Sequence, residues 1–197
     1  GNIIAGSYSN FAIGGSNEVG GFFGNGAIGA FNKIIQGYTS WAIGAYNRVE
    51  NSTNGFGLTA GMNNKIYGIN TFAFGTALYS NSRSTFVTGL ANTEYTELDN
   101  DSTRPLFIVG NGTTSTPSGA WEAISRSDAF RVRYDGRIEA PSQTIAQIDA
   151  DTTGKILVTK EWINSQSGGS DLQTTLTLGS TATLITPLSI QGANDAT

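Results

Sequence analysis

Apolar residues in the first ninety positions never run long. They stand in pairs and triplets between glycines and asparagines, and they return at a fixed step. The triplet Asn-x-Val/Ile recurs as Asn2-x-Ile4, Asn17-x-Val19, Asn32-x-Ile34, Asn47-x-Val49 and Asn64-x-Ile66, at steps of 15, 15, 15 and 17 residues. A second signature precedes most of these: Ala12-Ile13-Gly14, Ala27-Ile28-Gly29 and Ala42-Ile43-Gly44, then the variants Thr59-Ala60-Gly61, Ala73-Phe74-Gly75 and Val87-Thr88-Gly89. The triplet Asn comes three positions after Gly14, Gly29, Gly44 and Gly61, and the same spacing links Gly89 to Asn92. Two signatures at a constant offset define an internal repeat.

A period of 14–15 residues is too short for a helix pair, and no 3.6-residue pattern supports one. Each unit holds two short β-compatible pieces, such as Ser40-Trp41-Ala42-Ile43 and Asn47-Arg48-Val49, with Gly-rich turns between them. That predicts one coil of a β-solenoid or β-roll per unit, stacked about 4.8 Å apart through parallel ladders. Val, Ile and Ala at fixed phases are expected to point into a narrow core. Gly14, Gly29, Gly44, Gly61, Gly75 and Gly89 supply tight backbone turns that a Cβ would obstruct. Asn17, Asn32, Asn47 and Asn64 are read as structural, bonding neighbouring backbone and each other in a ladder. Residues 51–58 lengthen one coil to 17 residues. Leu78-Tyr79-Ser80 replaces the triplet after Gly75, which predicts an irregular coil there.

So thin a core cannot hide Phe11, Phe23, Phe31, Trp41, Tyr46, Phe56, Phe72, Phe74 and Phe86, all of which lie in the repeat. Large exposed apolar patches mark interfaces. Self-association, with copies packed side by side, accounts for these rings better than sugar stacking does.

The pattern changes near residue 93. Residues 1–92 hold 4 basic and 2 acidic side chains, and residues 93–197 hold 7 and 13. Glu94, Glu97, Asp99 and Asp101 form an acidic connector. Leu106-Phe107-Ile108-Val109 reads as a strand, and residues 113–119 read as a loop. Ala129 to Tyr134 alternates and meets Asp135-Gly136, a type I′ hairpin signal, before Arg137-Ile138. Residues 155–158 suggest a strand and residues 160–164 a short helix capped by Thr159. The predicted organisation is repeats over 1–92, a hairpin-containing connector over 93–165, a Gly/Ser linker over 166–170, and the start of a further segment over 171–197.

Composition removes most chemistry. There is no Cys and no His, which excludes thiol nucleophiles, disulfides, His bases and the usual zinc and haem ligands. Charged residues are 13% of the chain against about 25% in ordinary domains, and the net charge of −4 argues against a nucleic-acid binder. No run of 18 apolar residues suggests membrane insertion. The chain opens on Gly1 rather than Met, and is read as a piece of a longer protein. The one carboxylate pair in the repeat, Glu18 and Glu50, is two coils or about 10 Å apart with nothing beside it to raise a pKa. Asp99-Asn100-Asp101-Ser102 lacks the Gly and the Glu of a calcium loop. No enzyme activity and no cofactor are expected. Lys33, Arg48 and Lys65 are each the middle residue of a triplet, so they project outward at one phase. They are candidate contacts for an anionic surface glycan or, more simply, a solvated face.

The unit Ala-Ile-Gly-x-x-Asn-x-Val resembles the head repeats of trimeric autotransporter adhesins over about residues 1–92. Phe107-x-Val109-Gly110-Asn111-Gly112, Ser127-Asp128-Ala129-Phe130-Arg131-Val132 and Tyr134-Asp135-Gly136-Arg137-Ile138 are similar to phrases of bacteriophage tail-fibre and related virion-fibre proteins. The same holds for Leu157-Val158-Thr159-Lys160-Glu161-Trp162-Ile163 and for Asp171-Leu172-Gln173. These resemblances imply an all-β fold: a trimeric left-handed parallel β-roll with 14–17-residue coils, followed by a small β-rich connector or shaft module. They imply a homotrimer on a virion tail or fibre outside the cell, joined to other fibre or virion proteins. Its role would be non-covalent attachment to a bacterial surface receptor, a polysaccharide in the first instance. The alternatives are an ectodomain fragment of a bacterial trimeric surface adhesin and, in another class, a polysaccharide-degrading or ice-binding solenoid. The last would want a flat Thr face, and the Thr residues hold no common phase.

Overall fold

A computed structural model describes residues 1–6, 8–50, 55–95, 101–115, 121–153, 156–158 and 163. In chain order the coils contain β1 (Ile3–Ile4), β2 (Phe11–Gly15), β3 (Glu18–Val19), β4 (Gly26–Ala30), β5 (Lys33–Ile35) and β6 (Trp41–Ala45). They continue with β7 (Arg48–Glu50), β8 (Gly57–Met62), β9 (Lys65–Ile66), β10 (Thr71–Thr76), β11 (Tyr79–Ser80) and β12 (Phe86–Leu90). Even-numbered strands stack into one parallel sheet and odd-numbered strands into another, so the chain alternates between two walls. The result is a β-solenoid of about 6 turns, with 49% of the described residues in strand and 4% in helix.

Two corners per coil turn the chain through left-handed backbone. Ser16, Phe31, Tyr46, Asn63, Ala77 and Ala91 occupy one corner at φ between 41° and 59°. Ser9, Gly24, Thr39, Asn70 and Ser84 occupy the other at φ between 52° and 56°. From Phe31 to Ala91 each N–H at the first corner reaches back one coil, as in Tyr46 N–H to Ala30 C=O at 3.0 Å. Left-handed backbone costs an L-residue about 1–2 kcal/mol. Stacking imposes it at every turn whatever the side chain.

The core is two facing columns. Val19, Ile34, Val49 and Ile66 are buried from the short sheet, and Ala27, Ala42, Thr59, Ala73 and Val87 from the long one. Only part of the expected core points inward. In Ala-Ile-Gly the Ala is inside, whereas Ile13 and Ile43 are 58% and 39% exposed, because neighbours along a strand face opposite ways. Nor is the coil at Leu78 irregular. Leu78 takes the Asn phase, its amide donates to Asn64 Oδ1 at 3.0 Å, and Tyr79↔Lys65 and Ser80↔Ile66 keep register. The 17-residue coil is absorbed equally well, with Leu58 pairing Trp41; residues 51–54 lie outside the described residues.

The sheet runs across the change of composition at residue 93. β13 (Pro105–Asn111) adds to β12 as a seventh parallel strand, Phe86↔Phe107 through Leu90↔Asn111. β14 (Thr113–Thr114) and β15 (Ala123–Ser125) form a small antiparallel pair, so the expected loop begins as a strand. β16 (Asp128–Arg133) then closes the long sheet antiparallel to β13, and β17 (Ile138–Glu139) follows it. This hairpin exists, but its turn is not type I′. Gly136 N–H donates to Arg133 C=O at 3.0 Å, and Gly136 alone has positive φ, at 83°. That is a type I turn completed by a left-handed glycine.

The chain divides into two compact units, Gly1–Thr144 and Ile145–Thr197. In the second, α1 (Ile145–Asp149) was not expected, and residues 156–158 form no strand. Asp151 Oδ1 instead accepts from Thr153 N–H at 3.1 Å, and Ile156 N–H turns to Asp151 Oδ2 at 3.3 Å. Residues 160–162 and 164 of the expected helix, the 166–170 linker and the 171–197 segment lie outside the described residues.

Candidate functional site

The repeated Gly and Asn residues form two continuous columns. A Cβ built on Gly14, Gly29, Gly44, Gly61 or Gly75 would lie 1.9–2.0 Å from the carbonyl oxygen of the next column glycine, and one on Gly89 would lie 2.3 Å from that of Gly110. The Asn side chains form a buried ladder. Asn17, Asn32 and Asn47 each direct Nδ2 at the Oδ1 of the Asn one coil earlier, at 3.0–3.1 Å. Their backbone amides reach that same oxygen. Nδ2 also donates to a carbonyl of its own coil and to one of the next, as in Asn47 to Ile43 at 3.0 Å and Gly61 at 2.9 Å. Asn64 closes the series against Ala60 and Gly75. These Asn side chains are buried and spend their polar atoms on one another and on the backbone, which is a structural role.

A second ladder at the opposite corner was missed from sequence. Asn25 donates Nδ2 to Asn10 Oδ1 at 3.1 Å, and Ser40 N–H donates to Asn25 Oδ1 at 2.8 Å. Its signal is present: a small polar residue stands two places before each Ala of Ala12, Ala27 and Ala42.

Lys33, Arg48 and Lys65 do occupy one column on the outer face of the short sheet, Glu18↔Lys33↔Arg48↔Lys65↔Tyr79. They are not a bare cationic stripe. Lys33 Nζ meets Glu18 Oε2 at 2.6 Å, and Arg48 Nε meets Glu50 Oε2 at 2.9 Å. The two glutamates therefore stand apart on different columns, each engaged by a cation rather than by the other. Lys65 has no carboxylate partner among the described residues.

The long sheet's outer face has opposite character. One outward column runs Phe11, Gly26, Trp41, Leu58, Phe72, Phe86 and Phe107. Its neighbour runs Ile13, Ile28, Ile43, Ala60, Phe74, Thr88 and Val109. No position in either carries charge. The single hydroxyl, on Thr88, donates to Phe74 C=O at 3.0 Å. The Phe11 and Trp41 rings, 5.0 Å apart, close over Gly26, where any side chain would strike them. The exposed corner rings Tyr8 and Phe23 stack at 5.2 Å and Phe31 on Tyr46 at 4.9 Å, while half-buried Tyr38 tilts by 45° against Phe23 at 5.5 Å. Ring faces that could meet a sugar there are mostly spent on other rings.

A polar cluster closes the coils at their C-terminal end, also unforeseen from sequence. Arg126 Nη1 donates to the Ala77 and Asn92 carbonyls at 2.9 and 3.1 Å, and its Nε meets Glu94 at 2.8 Å. Buried Asp128 accepts from Thr93 N–H at 2.8 Å and from the Tyr95 hydroxyl. Arg131 lies 4.8 Å from the Tyr95 ring centroid, donates to its hydroxyl oxygen and pairs with Glu139. Burial, then the hydrogen bond to Asp128, pushes Tyr95 up to about 12, so it remains a neutral donor. Burial would raise Glu139, but hydrogen bonds from Arg133 and Arg131 outweigh it and hold the carboxyl below its ordinary range. Such a constellation locks an end in place; it neither activates a nucleophile nor poises a base near neutral pH. Asp101, from the acidic connector, binds Thr103 N–H at 2.7 Å in a local turn, while Asp99 and Asn100 lie outside the described residues.

Among the described residues no group of three His, Cys, Asp or Glu could hold a metal, and no helix is long and apolar enough to cross a membrane. Comparison with known proteins gives no matching family model, no matching curated protein and no matching solved structure.

Proposed function

We propose that this chain is part of a trimeric fibre outside the cell, on a virion tail, that attaches non-covalently to a bacterial surface glycan. The observation that carries the reading is the uncharged outer face of the long sheet. Five residues of about 3.3 Å and six strand steps of about 4.8 Å give a footprint on the order of 500 Å². That is more than half of the roughly 800 Å² per partner of a standard interface. A second copy fits it best, since its own columns repeat at the same coil rise. Three chains packed this way turn their charged short sheets outward, and three equal faces raise avidity. The chain works by attachment rather than catalysis in this reading.

Light scattering on the purified chain tests the assembly, with a mass near three times 20.6 kDa expected. A stable monomer at micromolar concentration overturns it. Binding of the labelled protein to a panel of bacterial cells tests attachment, and no binding to any of them overturns that part.

A further inference from the structure

The column that holds Lys33 and Arg48 continues to Lys65 and then to Tyr79. Like charges on directly adjacent strands repel. Glu18 and Glu50 offset the first two cations, and nothing among the described residues offsets the third. Folding alone gains nothing from an uncompensated ammonium beside Arg48. Around it the face changes from charged to aromatic. The Tyr67 ring lies 5.4 Å from that of Tyr79, tilted by 42°. Both tyrosines are half-buried, and Arg126, fixed by Glu94, borders Tyr79 at 5.9 Å.

We infer that Lys65, Tyr67 and Tyr79 form a binding site for an acidic saccharide. Its carboxylate meets the Lys65 ammonium, its hydroxyls meet the two phenols, and its C–H faces lie against the rings. A single free cation suits one carboxylate better than a polyanion, which the net charge of −4 repels at longer range. The inference rests on the attachment reading and narrows its contact region to one end of the column.

The test uses the full chain in its native assembly, with galacturonate and sialyl oligosaccharides as probes and maltooligosaccharides as the neutral comparison. Ligand-observed NMR and cell binding are measured side by side. Wild type should bind a carboxylated probe and not the neutral one. Lys65→Glu and Tyr67→Ala should each weaken binding at least tenfold, while Lys65→Arg and the remote Arg137→Gln retain it, with unchanged circular dichroism throughout. Unchanged affinity in Lys65→Glu, or no binding to any carboxylated probe, overturns the site. If wild type and Lys65→Glu bind cells equally, the site falls and attachment stands. If wild type binds neither cells nor saccharides, both fall.

Discussion

A methyl group added at Gly44 would sit 2.0 Å from the Gly61 carbonyl oxygen, on a backbone at φ +111°. Neither clash nor dihedral can relax without parting two coils. Gly44→Ala is therefore expected to abolish cooperative thermal unfolding, whereas Gly15→Ala, whose Cβ meets nothing within 4 Å, should leave the melt unchanged. Asn47 makes the complementary case. Truncation to Ala strands the Asn64 amide and the Ile43 and Gly61 carbonyls inside the coil. At roughly 1–3 kcal/mol per stranded group, denaturant melts should show a loss on the order of 4 kcal/mol. Both columns could be read from the chain because few residues can stand in them: only Gly accepts that carbonyl, and Asn carries donor and acceptor on one short stem, with Leu78 the one replacement between Asn17 and Asn92. Phe31, Tyr46 and Ala77 were illegible as left-handed corners for the opposite reason. Their side chains disfavour that backbone, and only the stacked neighbours impose it.

Between β12 and β17 the elements follow from contacts distant in sequence, and here the sequence was least informative. Leu106 to Val109 is recognisable as a strand by its apolar run, but nothing local says that it joins β12 in parallel. The cap was hidden likewise, since Tyr95 meets Asp128 across 33 residues. Its behaviour with pH follows from the raised Tyr95. Folding favours the neutral hydroxyl, so its stabilising contribution is complete below pH 10 and is lost as pH climbs through about 12. Absorbance titration at 295 nm should show one of the seven tyrosines ionising near pH 12. Asp128→Asn should bring that step to lower pH. It should also hasten amide exchange at Thr93, which would otherwise exchange no faster than the coil interior.

For the molecule as a whole, the repeat announced a solenoid but not which wall faces outward, because Ala-Ile-Gly reads as apolar throughout. Only the alternation about Ala42 assigns Ile43 to the outer face. Ile43→Glu places a carboxylate in the middle of the uncharged columns. On the proposed trimeric assembly it should yield monomers by light scattering while leaving the far-ultraviolet β signal intact; a trimer retained would show that another face joins the chains. The coil geometry also bears on how such a structure responds to pulling. Hydrogen bonds between coils lie along the stacking direction, so tension along it opens a single rung before the next is loaded. Each coil freed would release about 15 residues, roughly 50 Å of extended chain. Single-molecule extension should trace a low, evenly spaced sawtooth. A surface-bound coil stack of this kind would dissipate a sudden tug by paying out slack in equal steps.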